Sequence, residues 1–485
     1  MSKRLLCHTT STVKSFDQIP GPKSLPLIGT LHKYLPFIGE YQFDRLHWNG
    51  LKKYRKYGPL VKEEIVPGVS LVWVFTPEDI ETVYRCEGRY PERRSHLALE
   101  KYRLDRPEVY STGGLLPTNG KEWCRIRSEL QKGFSEIKHV RSHLDLVNQV
   151  MDEFIELRIG QRATFQDFLP ELSRLYLEIM CLVAFEKRLH SFTADQISSQ
   201  SLSSKLIEAA YTANSCVLKT DNGPQLWRKF DTPLYKKLKM AHGFIEEQAL
   251  KFISQKSSRV ASVQTNQATS LLENYLANPK LSRRDIVGMS VDILLAGIDT
   301  SAYTTCFLLY HISRSASAQQ RLFSAVKHLK RGSVTSADYD GCAYAKAVLK
   351  ETFRLSPISV GVGRILNKET VLSGYHVPAG TLAVTQNQVS CRLSQYFPGP
   401  DQFIPERWLR EDPAKQCVSP YLVLPFGHGP RTCIARRSAE QNLQVLIMKL
   451  VNRYQIKWHG SIMDSKSLLI NRPDQPVTLE FIARE

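Results

Sequence analysis

Apolar positions between residues 119 and 330 recur at the three- and four-residue spacing of amphipathic helices, with almost no strand-like alternation. Before that block, Leu60–Phe75 is rich in Val and Ile around a Pro67-Gly68 turn, which predicts a hairpin. Glu78–Cys86 then reads as a helix. Ile286–Tyr310 is apolar on nearly every side, the pattern of a buried helix, so it is predicted to cross the centre of the molecule. Lys256–Ser270 is polar and rich in Ser, Gln and Thr, which predicts a surface loop. Pro357–Val389 returns to short strands broken by Gly and Pro. Arg436–Tyr454 is a last long helix and Val477–Ile482 a last strand. Ile19–Pro26, dense in Pro and Gly, is a stiff, extended lead-in. No internal repeat appears. The predicted fold is mainly α with a smaller β part, in one large unit over residues 17–485.

Composition narrows the choice of environment. The 42% apolar share of these 485 residues is that of a globular chain. No run of about 18 uninterrupted apolar residues exists to span a bilayer. The balance of 65 Lys+Arg over 47 Asp+Glu leaves +18, which calls for an acidic partner or an anionic surface. Zinc-finger spacing, RNP motifs and basic–aromatic repeats are missing, so no nucleic-acid partner is expected. Ten scattered cysteines without a CxxC read as reduced thiols. Residues 1–16 hold Lys3, Arg4 and Lys14, several hydroxyls and no acid before Asp17, the composition of a mitochondrial transit segment.

The chemistry lies near the C-terminus. Within Leu424–Ala435, Phe426, Gly429, Arg431 and Cys433 have the spacing FxxGxRxC. Glycines let such a loop approach a flat ligand closely. A cysteine just before a helix meets the positive end of its dipole, which favours thiolate. A thiolate is a strong axial ligand for haem iron, and Arg431 is spaced to meet a propionate. Upstream, Glu351 and Arg354 form ExxR, one helical turn apart, and Arg407 in Pro405-Glu-Arg-Trp408 can close a Glu–Arg–Arg network. Ala296-Gly-Ile-Asp299-Thr300-Ser301 puts Gly, an acid and a hydroxyl in the middle of an apolar helix, where each is a poor local choice. Trp123 and Arg127 form WxxxR, with donors one turn apart.

ExxR, PERW and FxxGxRxC in this order resemble the cytochrome P450 family, over nearly the full length. The resemblance implies haem b, held by Cys433 as the metal ligand. It makes Trp123, Arg127, Arg364 and Arg431 propionate contacts, with Phe426 in the haem loop. It makes Glu351, Arg354 and Arg407 structural, and Asp299 and Thr300 the catalytic, oxygen-activating pair. Ala435 departs from the family, which usually has Gly there.

Lys346 and Lys350, at i and i+4, and Arg436 and Arg437, in the first turn of the last helix, are similar to the ferredoxin-docking positions of mitochondrial members. An acidic ferredoxin is therefore the expected electron donor. The stretches 91–102, 114–120 and 357–367 resemble arthropod ecdysteroid-pathway hydroxylases acting at carbon 22, which implies O2 and a steroid as substrates. Val360–Gly363, Ala296 and Leu468–Leu469 are expected to line an apolar pocket, with Gly361 and Gly363 leaving it width. Asn222–Arg228, followed by Lys236, Lys237 and Lys239, suits a turn that dips Trp227 into a membrane interface, as for a peripheral inner-membrane protein; a packed loop is the other reading. An isomerase without a redox partner is opposed by Asp299-Thr300 and the four cations. A non-enzymatic carrier would have no need of a thiolate beside a polar groove.

Overall fold

The computed structural model describes residues 13–65, 67–223, 225–262, 271–330 and 333–484. The predicted central helix forms as Arg283–Arg314. It begins where Ser282 and Asp285 close a capping box, each side chain accepting the other's backbone N–H. The helices Leu169–Phe185, Leu202–Asn222 and Pro233–Ser262 pack around it, which explains a sequence apolar on all sides. Ile286, Val291 and Ile298 belong to one large apolar cluster. Ala302, Phe307 and Ile312 belong to another, which reaches Phe353 and Leu446. The fold is mainly α, as expected.

The hairpin also forms: Leu60–Glu63 pairs antiparallel with Leu71–Val74, Leu60 opposite Val74. Leu71–Val74 then pairs in parallel with Leu382–Thr385, and Val362–Ile365 pairs antiparallel to Leu382–Thr385. One four-stranded sheet thus joins early and late parts of the chain. The last strand is Leu479–Ala483, antiparallel to Tyr454–Trp458. The nine described cysteines are free thiols.

Three expectations change. The loop predicted over 256–270 begins as helix, because Pro233–Ser262 continues through it. Lys256 pins that turn by pairing with both Glu186 and Glu273; residues 263–270 lie outside the described residues. Trp227 does not face solvent: it is buried, its Nε1 donates to the Thr220 carbonyl at 2.9 Å, and its ring lies against Tyr235. The exposed apolar side chains nearby are instead Leu226, Phe230 and Met240. Gly361 does not widen a pocket: at φ 152° a Cβ there would lie 2.7 Å from the Thr385 carbonyl oxygen, so the glycine lets two strands approach. Of the expected transit segment, residues 1–12 lie outside the described residues. The Lys14 N–H donates to the Gly374 carbonyl at 3.0 Å, so that stretch already sits on the folded body.

Candidate active site

The loop entering the helix Arg436–Arg453 is shaped by Gly427 and Gly429, at φ 71° and 72°. A Cβ at Gly429 would fall 1.8 Å from Glu87 Oε1, so a larger residue would have to displace the Glu87 carboxylate as well as adopt the left-handed φ. The Cys433 N–H donates to the Phe426 carbonyl at 2.9 Å, and Thr432 Oγ1 to the same oxygen at 3.2 Å, closing the turn. Ile434 and Ala435 pack on the cluster that holds Ile298, and Phe426 on the one that holds Ala302. The loop and the middle of the central helix therefore share a core.

Cys433 is accessible by surface area. Yet burial pushes its thiol up, against the Ala435 N–H, Arg127 and Arg436, which pull it down. Its accessibility is therefore to the protein interior. The helix start alone does not produce a thiolate, as the sequence pattern implied; metal coordination deprotonates such a thiol.

Arginines converge beside this loop. Arg431 is buried, stacks on Trp123 at 4.3 Å, and donates to the Pro91 carbonyl at 2.7 Å and Asn119 Oδ1 at 2.8 Å. Burial, then the charges of Arg93, Arg364 and Arg127, push its pKa down to about 8. Arg364 donates through Nε to Glu87 and through Nη2 to the His428 carbonyl. Arg127 donates to the Thr432 carbonyl at 2.7 Å. Of these guanidiniums only Arg364 pairs with Glu87, whose charge also reaches Arg431; Arg93 has the carboxylate of Asp292 in reach, and Arg431 Nη1 is buried without a partner. Such a cluster calls for further negative charge. The two propionates of a haem supply it, so these residues fit the group. Trp123, Arg127, Arg364 and Arg431 are brought together as the motifs implied. Arg93 and Glu87 were missed, because neither belongs to a motif that marks it.

On the central helix, Thr300 Oγ1 donates to the Ala296 carbonyl at 2.7 Å, one turn back. Its lone pairs remain free to accept. Gly297 is required by packing, since a Cβ would lie 2.8 Å from Met180. Asp299 is buried, and Asn214 on the helix Leu202–Asn222 donates to its Oδ2 at 3.1 Å. Burial raises its pKa to about 6, against the pull of Asn214, Arg472 and Tyr303. Asn214 also donates to the Leu295 carbonyl at 3.0 Å, so it ties two helices at the acid. No sequence motif marks Asn214; only the fold places it there.

Glu351 and Arg354, on the helix Ala343–Leu355, are fully buried and paired through two bonds of 2.9 and 2.8 Å. Arg407 Nε joins at 3.3 Å and Trp408 Nε1 at 2.9 Å. The Lys346 Nζ lies over Tyr339, whose carbonyl accepts Gln444 of the last helix at 2.6 Å. Lys350 lies over Trp408. Arg436 pairs with Glu440 at 3.1 Å, and Arg437 donates to the Ser135 carbonyl. Arg141, which the sequence did not single out, stacks on Tyr339 and donates to Gln441 at 3.3 Å. Lys346 and Arg141 thus meet at Tyr339, while Arg436 lies over Phe426 of the haem loop.

A family profile described as Cytochrome P450 matches residues 19–481. Cytochrome P450 302a1, mitochondrial, of Drosophila melanogaster is 47% identical over 478 residues, which cover 97% of this chain and 96% of the relative. Probable cytochrome P450 12e1, mitochondrial, of the same organism is 30% identical over 499 residues, covering 97% and 93%. Its Ecdysone 20-monooxygenase is 29% identical over 483 residues, covering 96% and 88%. The chain belongs to the cytochrome P450 family and is a monooxygenase whose cofactor is haem on a cysteine thiolate.

Proposed function

We propose that this protein hydroxylates a steroid in the mitochondrion, at carbon 22 of an ecdysteroid precursor. The observation that carries the mitochondrial steroid reading is 47% identity over 97% of the chain to a relative named mitochondrial, supported by 29% identity to one named Ecdysone 20-monooxygenase. The position rests on the resemblance of residues 91–102, 114–120 and 357–367. Haem, when bound, supplies activation of O2 and insertion of one oxygen atom into a C–H bond.

Cys433 is the proposed ligand. Trp123, Arg127, Arg364 and Arg431 neutralise and hold the propionates, while Phe426 walls the sulfur. Asp299 holds a proton near pH 6 and passes it inward. Thr300 gives its own hydroxyl proton to the Ala296 carbonyl and would use the free lone pairs of Oγ1 to accept a hydrogen bond at the face where haem would bind. Lys346, Lys350, Arg436 and Arg437 steer an acidic ferredoxin toward the haem loop, where electrons have the shortest way in. Exposed Leu226, Phe230 and Met240 support peripheral contact with the inner membrane.

The test is reconstitution with ferredoxin and ferredoxin reductase, followed by mass spectrometry and NMR of the product. Oxidation at another carbon overturns the position. Turnover of other lipids, but of no ecdysteroid precursor, overturns the substrate.

A further inference from the structure

Phe37 and Leu27 are the most exposed large apolar side chains among the described residues, at 106% and 92%, and Ile38 stands at 78%. Phe37 has φ 70°, a left-handed conformation that bulky residues rarely adopt. The turn that holds it outward is fixed. The Gly39 N–H donates to the Leu35 carbonyl at 2.9 Å, and the Tyr41 N–H to the Lys33 carbonyl at 2.9 Å.

Beside this tip lies a shallow cavity that opens broadly to solvent, lined by Glu40, Tyr41, Lys52, Arg55 and Lys56 among others. Its cations come from one helix, Leu46–Tyr57. The opposite side of that helix is anchored. Lys53 is buried, bonded to Glu63, and packed on Trp73 at 4.2 Å and Tyr41 at 4.7 Å. Lys52, Arg55 and Lys56 therefore point outward from a rigid base. Lys52 Nζ donates to the Glu40 carbonyl at 2.9 Å, and Lys56 pairs with the Glu40 carboxylate at 3.1 Å. Arg55 has no ion pair among the described residues. Three cations against one carboxylate leave the cavity positive.

We propose that this cavity binds the phosphodiester headgroup of an anionic phospholipid, while Phe37 and Ile38 enter the acyl layer beside it. An acidic protein would match the cations but leave Phe37 and Ile38 uncovered. A neutral bilayer would cover the apolar tip but leave Arg55 unpaired. An anionic bilayer answers both. The proposal rests on the reading that the protein sits peripherally on a membrane, and it adds which lipid and which residues.

The experiment is co-sedimentation of the haem-loaded enzyme with vesicles of phosphatidylcholine alone and of phosphatidylcholine with one-fifth cardiolipin. Wild type should partition much more strongly into the second, and salt should remove the increment. Lys52→Gln/Arg55→Gln/Lys56→Gln should lose roughly 100-fold on the anionic vesicles, at about fivefold per cation, and little on the neutral ones. Arg55→Gln alone, which breaks no intramolecular pair, should lose roughly fivefold. Phe37→Ser/Ile38→Ser should weaken both. An unchanged Soret band shows that each variant is folded. Glycerol phosphate in solution should compete only weakly; full competition would mean a soluble phosphate ligand and overturn the lipid assignment. Binding equal on both vesicles would overturn the headgroup site and leave peripheral attachment standing. No sedimentation with either would overturn both. An anionic increment that survives the triple variant would place the lipid site elsewhere.

Discussion

Glu351→Ala is the perturbation with the largest expected effect on the folded state. The Glu351 carboxylate accepts from Arg354 Nε and Nη2, Arg407 Nε, Trp408 Nε1 and the Ile404 N–H, at 2.8 to 3.3 Å. Removing it leaves two guanidiniums, at 0% and 2% exposure, without their counterion. Breaking a buried pair in this way costs about 3–5 kcal/mol. The Trp408 and Ile404 donors lose their acceptor as well, at about 1–3 kcal/mol each. Arg354 still donates to the Pro400 and Gln402 carbonyls, and Arg407 to that of Gly399, which caps the loss. The total is comparable with the whole stability of a domain, about 5–15 kcal/mol. Glu351→Ala should therefore give almost no soluble haem-loaded protein. Glu351→Gln, which keeps one acceptor oxygen but no charge, should fold with a clearly lower urea midpoint. The assays are yield by the reduced-CO difference spectrum and urea denaturation. Wild-type yield and midpoint in Glu351→Ala would refute the reasoning, because the network would then contribute nothing.

Four further outcomes are expected. Cys433→His should lose the red-shifted ferrous–CO Soret band that marks a thiolate ligand; an unchanged band would remove Cys433 from that role. Thr300→Ala should still bind substrate and consume NADPH, but release more hydrogen peroxide per product; unaltered coupling would make the hydroxyl a packing feature. Asp299 has a folded pKa near 6 against 3.8, so its contribution is most favourable in acid and is lost as pH rises through 6. Asp299→Asn should therefore raise stability by about 3 kcal/mol at pH 8 and by about half that at pH 5, measured by urea denaturation at both; a pH-independent difference would contradict the shift. Lys350→Glu/Arg437→Glu should weaken ferredoxin binding and flatten its salt dependence, with substrate binding spectra unchanged.

The parts of this fold legible in the sequence are those set by local pattern. The central helix announced itself because residues 286–310 are apolar on nearly every side despite a few polar interruptions, the pattern of a buried helix. The haem loop was legible because Gly427 and Gly429 perform backbone work that few residues can do. Contacts between distant segments were not. Asn214 reaches Asp299 across 85 positions, and Glu87 reaches Arg364 across 277; neither leaves a mark near its partner. The choice between the two readings of Trp227, membrane-dipping turn or packed loop, was not legible for a related reason. A Trp among Gly, Pro and Arg has the composition of a surface turn, yet its burial is decided by Tyr235 and the Thr220 carbonyl. The start of the loop predicted over 256–270 is helix instead, because two glutamates outside it recruit Lys256.

The parallel pairing of Leu71–Val74 with Leu382–Thr385 has a consequence for how the chain is made. A polypeptide that threads into a compartment from its N-terminus presents the first hairpin early, with Val72 and Val74 in hand and one strand edge open. That edge waits for residues that emerge only after most of the chain has passed. Non-local pairing of this kind is slow to form, and an open apolar edge is prone to capture by other chains. The order of arrival thus leaves the free edge of Leu71–Val74 unpaired until Leu382–Thr385 has arrived.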